Sequence, residues 1–325
     1  MPDLDWRPVP LEGMRTGGDG RSLGEGLRAA VGIGVMAMAG DADYAGWLGR
    51  SQVRHDVVTA GPLDRLSATL DRADPPHAAG DAVPPLGHWL FFLPDARQSE
   101  LGEDGHARRG GFLPPVNHLP RRMWAGSRVA FPGDLRVGDA IERRSTIASV
   151  AEKAGKAGPL VFVTVRHEIG RPGEAPAIVD EHDIVYRGLD AAPTVRPAEP
   201  RPPGAWRRVL VPDAVQLFRY SALTFNGHRI HYDRDYATTV EGYPGLIVHG
   251  PLIATLLVDL IRRDAPAARV EAFSFRAVSP LFDGREMSIN AATPGADGKL
   301  ALWAANDAGD LAVSAEAVLS GAVPS

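Results

Sequence analysis

One apolar helix followed by four strand-like runs constrains this chain more than any other feature. Leu252, Ile253, Leu256, Leu257, Leu260 and Ile261 recur at the spacing that places them on one broad helical face. Pro251 suits a first helical turn, and Arg262 and Arg263 suit the negative end of the dipole. Beyond lie Arg269–Ala277, Arg285–Thr293, Leu300–Asn306 and Leu311–Leu319, divided by Asp283-Gly284, Pro294-Gly295, Asp297-Gly298 and Ala308-Gly309-Asp310. A helix with a wide face to bury, beside an antiparallel meander, predicts an α+β fold in which a sheet wraps around a long helix.

The rest of the chain is organised around a break. Leu189–Gly204 carries five prolines and no apolar periodicity, so it reads as a linker. The division is therefore an N-terminal extension over 1–40, an N-terminal domain over 41–188, the linker over 189–204 and a C-terminal domain over 205–325. In the last, Trp206–Val211 reads as a strand and Ala214–Leu223 as a helix. The N-terminal domain repeats the pattern loosely. Pro62–Leu70 reads as a helix, and Arg128–Ala130, Ala140–Val150, Leu160–Ile169 and Ala177–Tyr186 read as strands. Asp74–Pro120 is a long stretch rich in proline and glycine, a length that points to function. A divergent duplication fits this order, although no residue-level repeat stands out.

Composition narrows the chemistry. The 325 residues hold no cysteine, which removes disulfides, thiolate nucleophiles and cysteine-based metal sites, and fits a reducing cytoplasm. A net charge of −5 argues against nucleic acid as a partner. The apolar run Leu27–Ala39 is short and interrupted by glycine, too short to span a membrane.

Chemistry-bearing residues crowd into Phe218–Leu252. Asn226, His228 and His231 lie within six residues, followed by Asp233 and Asp235, with Arg229 and Tyr232 interleaved. The His228–His231 spacing could serve a metal on a helix, but Gly227 and Ile230 do not favour one there, no HExxH is present and a third ligand would have to come from elsewhere, so no metal is expected. No Gly-x-Ser-x-Gly elbow supports Ser221 as a nucleophile, and neither a phosphate loop nor a complete dinucleotide fingerprint is present. Histidine acid–base chemistry remains, since an imidazole titrates near neutrality.

Here the segment resembles the MaoC-like, hot-dog-fold (R)-specific enoyl-CoA hydratases. Their Asp-x-Asn-Pro-x-His motif, with a later His-Gly before the central helix, corresponds to Asn226-Gly227-His228-Arg229-Ile230-His231 and His249-Gly250. Asn226 stands where the motif has Asp, His228 where it has Asn, and Arg229 where it has Pro. The wording is more similar still to the double hot-dog subgroup of mesaconyl-C4-CoA hydratases and type 2 hydroxyacyl-thioester dehydratases. Pro120–Gly126, Leu135–Asp139 and Gly155–Phe162 extend the resemblance, which covers roughly Asp43 to Leu319.

The resemblance implies a double hot-dog fold and a hydro-lyase acting on an enoyl or 3-hydroxyacyl thioester. It implies no cofactor beyond the CoA or pantetheine of the substrate. His231 is then the acid–base residue, Asn226 orients the water, and the Gly250 N–H polarises the thioester carbonyl. His249, His228, Arg229 and Tyr232 are candidate substrate contacts, and Arg121, Arg122 and Arg128 candidate phosphate contacts. An amide cannot replace a carboxylate as a base, so Asn226 shifts proton transfer onto His231. The N-terminal domain, lacking the motif, is expected to shape the pocket without catalysing. Asp104-Gly105-His106 is too compressed to match it. Alternatives on the same fold are a carrier-protein dehydratase, a thioesterase and a non-catalytic acyl-thioester binder. Two hot-dog units in one chain form an internal pseudo-dimer, as a monomer or as part of a homodimer.

Overall fold

The structure is a computed structural model and describes residues 44–155, 158–188 and 200–322. The extension over 1–40 and most of the linker lie outside the described residues.

Among the described residues, ten strands form one antiparallel sheet. They are β1 (Ser51–Val57), β2 (Arg121–Ala130), β3 (Ala140–Gly155), β4 (Gly158–Gly170), β5 (Ile178–Arg187), β6 (Trp206–Leu210), β7 (Ala268–Ala277), β8 (Met287–Ala291), β9 (Lys299–Asn306) and β10 (Leu311–Gly321). Their spatial order is β1-β3-β4-β5-β2-β7-β10-β9-β8-β6. Each half therefore runs first, third, fourth, fifth, second from its own outer edge, and the two halves meet back to back. The junction pairs Gly126 to Ala130 with Arg276 to Ala272, centred on Arg128 opposite Ser274. The sheet order thus displays a duplication that the residues themselves conceal.

Two short helices occupy matching places: α1 (Ala60–Thr69) follows β1, and α2 (Ala214–Thr224) follows β6. The two pack against each other. The long helix α3 (Gly250–Asp264) follows α2 and lies in the concavity of the second half, against β6 to β10 and β2. All ten residues from Leu252 to Ile261 are buried, more than the single apolar face requires, because the sheet curls around the helix. In the first half α1 is the counterpart of α2, and residues 71–120 take the place of α3 with only short 3-10 turns at Gly87–Leu90 and Gln98–Glu100. Residues of both halves share one hydrophobic core.

Strand β1 has no counterpart in the sequence reading. It is an edge strand paired only with β3, and its residues alternate between exposed and half-buried without one fully buried side chain. Without such an anchor its alternation carries little hydrophobic signal.

Candidate active site

The site is built on a change of direction after α2. Asp213 caps that helix by accepting from the Gln216 N–H at 2.7 Å. The helix ends at Phe225, which has a φ of +49°, and the Asn226 N–H returns to the Ser221 carbonyl at 2.8 Å. The Asn226 side-chain oxygen then accepts from the His228 N–H at 3.0 Å, an Asx turn that leads into the 3-10 turn Arg229–His231.

His231 is buried, 8% exposed, and its Nδ1 lies 2.7 Å from the Ile247 carbonyl. A carbonyl only accepts, so Nδ1 carries the proton and Nε2 is left with a free lone pair in the neutral ring. Burial pushes its pKa down to about 4, so the ring is neutral at pH 7. The His249 ring stacks on it with centroids 3.7 Å apart and planes 19° from parallel. His249 Nε2 lies 2.8 Å from the Ser221 hydroxyl, and burial keeps this imidazole neutral too. Ser221, unpromising as a nucleophile, is thus the group that holds His249.

Gly250 opens α3 directly after His249. A Cβ built there would touch nothing within 4 Å. The fold therefore does not demand glycine at this position; the absent side chain leaves room beside a helix N-terminus, where N–H groups and the dipole favour negative charge.

Two of the expected substrate contacts are engaged in building the loop. Arg229 forms an ion pair with Asp233 at 2.7 Å, lies 4.1 Å over the Tyr236 ring and donates to the Glu103 carbonyl at 3.1 Å. The Tyr232 hydroxyl donates to the Gly227 carbonyl at 2.9 Å. Asp233 caps the following turn through the Tyr236 N–H at 3.0 Å, and Asp235 is exposed. Arg128, a candidate phosphate contact, is bound to Asp183 at 2.7 Å and Glu181 at 3.0 Å, and Arg121 pairs with Glu241 at 3.4 Å. Arg122 adds positive potential at His228.

The first half of the chain reaches this loop. A tight turn over 101–107 places the His106 ring 4.1 Å from the His228 ring, which is in turn 5.5 Å from the His231 ring. Nothing in the sequence ties position 106 to position 228. Burial and the neighbouring imidazoles push the His228 pKa down to about 2. Among the described residues, donor atoms of Asp104, His106 and His228 lie within 4.8 Å of one another, the one cluster whose geometry approaches a cation site.

Comparison with known proteins decides the family. The sequence profile of hydroxyacyl-thioester dehydratase type 2 matches residues 86–283. Mesaconyl-C(4)-CoA hydratase of Chloroflexus aurantiacus is 44% identical over 282 residues, 86% of this chain and 99% of the relative. The chain belongs to the hydroxyacyl-thioester dehydratase type 2 family. It is a hydro-lyase of the MaoC-like hot-dog group. The mitochondrial type 2 dehydratase of Schizosaccharomyces pombe is 27% identical over 73% of this chain and 88% of its own length. Solved structures share the fold. HtdX of Mycobacterium tuberculosis superposes with a TM-score of 0.59 at 18% identity, covering 84% of this chain and all of that one. Another M. tuberculosis protein, described as a double hotdog fold, gives 0.53 at 15% identity over 84% of this chain and 96% of its own. The ten-stranded sheet is accordingly a double hot-dog. No helix among the described residues is long and apolar enough to cross a membrane.

Proposed function

We propose that this member of the type 2 family hydrates a short enoyl-CoA, with mesaconyl-CoA as the leading candidate, through His231, Asn226 and Gly250. The single observation that carries the reading is the His231 Nδ1 bond to the Ile247 carbonyl, which leaves Nε2 the lone pair that a base requires. The acyl group is suggested by the 44% identical relative, whose name specifies mesaconyl-C4-CoA.

The chemistry runs as follows. The β-carbon of an enoyl thioester is electrophilic when its carbonyl is polarised. In this reading the Gly250 N–H, at the positive end of α3, binds the developing enolate oxygen. His231 Nε2 takes a proton from water as the oxygen attacks the β-carbon, and the enolate that forms is then protonated at the α-carbon to complete the addition of one water. Asn226 has its side-chain oxygen engaged by the His228 N–H, which leaves its amide nitrogen to hold the water with a proton toward His231. His249 supports the underside of the His231 ring, and the neutral state of both rings suits a stack that two imidazolium ions would disrupt.

Incubation with mesaconyl-CoA and crotonyl-CoA should bleach the conjugated thioester absorbance. His231→Ala should lower that rate by about 10²–10⁴-fold. A His231→Ala protein of full activity would remove His231 from the mechanism. Acyl-carrier thioesters, tested in parallel, separate a CoA-specific hydratase from a carrier-protein dehydratase, and turnover of any of them excludes a non-catalytic binder. Release of free thiol would mark a thioesterase instead.

A further inference from the structure

Hydration of a double bond needs two proton transfers: water loses one proton and the α-carbon gains one. In the loop after α2, His231 is the histidine whose Nε2 is left free by a fixed Nδ1 partner, the Ile247 carbonyl. Asn226 does not titrate, burial leaves His228 without a proton to donate, and His249 binds Ser221 through Nε2 while its Nδ1 is enclosed beneath the stack, away from solvent. The second group is absent from the motif segment.

The turn from the first half supplies it. Its ends are closed by the Gly102 N–H donating to the His106 carbonyl at 2.7 Å and by a bridge between Leu101 and Ala107. The Asp104 carbonyl accepts from the Arg229 N–H at 2.9 Å. Gly105, with φ +86°, lies so close to Gly227 that a Cβ would come within 1.8 Å of its carbonyl oxygen. The two loops are therefore packed backbone to backbone. Within the turn, Asp104 Oδ1 accepts from the His106 N–H at 3.0 Å and Oδ2 meets His106 Nδ1 at 2.9 Å. The His106 side chain is 25% exposed, within reach of a ligand.

We propose that His106, oriented by Asp104, is the second catalytic proton-transfer residue, so that the active site is assembled from both halves of the chain. This rests on the hydratase reading. Asp104 accepts the Nδ1 proton, turns Nε2 outward and balances the charge when Nε2 is protonated, as a carboxylate behind a catalytic histidine does. In the hydration direction the water oxygen bonds to the β-carbon and its proton passes to His231 Nε2. The π pair moves toward the carbonyl and returns to the α-carbon, which takes a proton from His106 Nε2. The proton on His231 then returns to His106 by way of His228, whose ring neighbours both, or through solvent. One water is consumed, and no oxidant or reductant enters.

The test uses the full-length protein. His106→Ala should lower kcat by about 10²–10⁴-fold with KM changed by less than about threefold. Added imidazole should restore part of the rate, because the site is open to solvent; a merely structural residue would show no rescue. Asp104→Asn should also lower kcat at unchanged KM without imidazole rescue. His106→Gln, similar in reach, should be inactive with an unchanged melting temperature, which separates chemistry from folding. Wild-type kcat in His106→Ala would overturn the proposal and leave the hydratase reading standing, as would a rise in KM alone. Loss of activity in EDTA with recovery on adding zinc would also overturn it, assigning Asp104, His106 and His228 to a cation. A wild-type protein inert toward every enoyl thioester would overturn the hydratase reading and this one with it.

Discussion

The two halves of the sheet share a strand order and differ in what fills the concavity. In the second half it is α3, buried along its length and anchored through Asp259, which is 1% exposed and accepts from Arg72 at 2.7 Å, Arg208 at 3.2 Å and Arg263 at 2.7 Å. In the first half, part of the extended segment lies on the sheet. His88 and Trp89 reach the buried carboxylate of Asp180 at 3.1 and 2.8 Å, and His182 reaches it at 2.7 Å. Leu86 and Phe92 flank this plug with φ of +68° and +54°, a strained backbone that the surrounding packing holds in place. One half thus keeps a rigid helix whose N-terminus lies beside the His231–His249 stack. The other gives up the helix and gains a long segment free to send a turn into its partner's site. A duplicated sheet does not require duplicated roles.

The contrast can be broken at its joints, beginning with the largest expected effect. Asp259→Ala leaves three guanidinium groups around an empty position between α3 and the first half. It should cost about 3–5 kcal/mol, read as a drop of about 10 °C in melting temperature. Gly105→Ala forces the two loops apart and strains a backbone at φ +86°; it should lower kcat by about 10²-fold, equivalent to about 2.7 kcal/mol, and lower the melting temperature as well. Its failure to do so would show that the first half's turn is not needed at the site.

Acid should then distinguish the halves. Burial lowers the pKa of His88, His167, His228, His231 and His249, so the folded state resists protons that the unfolded chain binds below about pH 6.5. Stability is therefore full above that pH and declines as pH falls toward the value of about 4 for His231. Asp180 offsets protonation of His88, whereas His231 and His249 have a carbonyl and a hydroxyl as partners. Hydrogen exchange at pH 5 should open residues 226–249 before residues 86–92. The reverse order would show the first-half plug to be the weaker element. The smallest effect is expected of Tyr232→Phe, which removes one exposed hydrogen bond and should cost about 1 kcal/mol or less with activity retained.

Elements with a repeating apolar signal were legible in the sequence. The helix at 252–261 and the strands at 269–277, 300–306 and 311–319 appear within a few residues of those positions, because each buries a regular set of side chains. The reach of Arg128–Ala130 back to Arg121 was not, since charged residues interrupt it and are satisfied by cross-strand partners such as Asp183 and Glu181. In the site, the cluster from Asn226 to His231 and the His249-Gly250 pair stood out because polar residues crowd between apolar elements. The Ile247 carbonyl and the Ser221 hydroxyl that orient those histidines did not, being ordinary groups whose role comes only from position.

By itself, then, the sequence determined the sheet-and-helix fold and the histidine loop to which the proposed chemistry is assigned. Both depend on local pattern, which is written in consecutive residues. Tertiary structure alone decided that the halves meet back to back, that only one retains a long helix, and that Asp104 and His106 stand beside His228. The first follows from pairing of β2 with β7 and the last from loop packing, where a glycine's missing Cβ at 105 sets the approach; both join residues more than a hundred positions apart, and no periodicity records them.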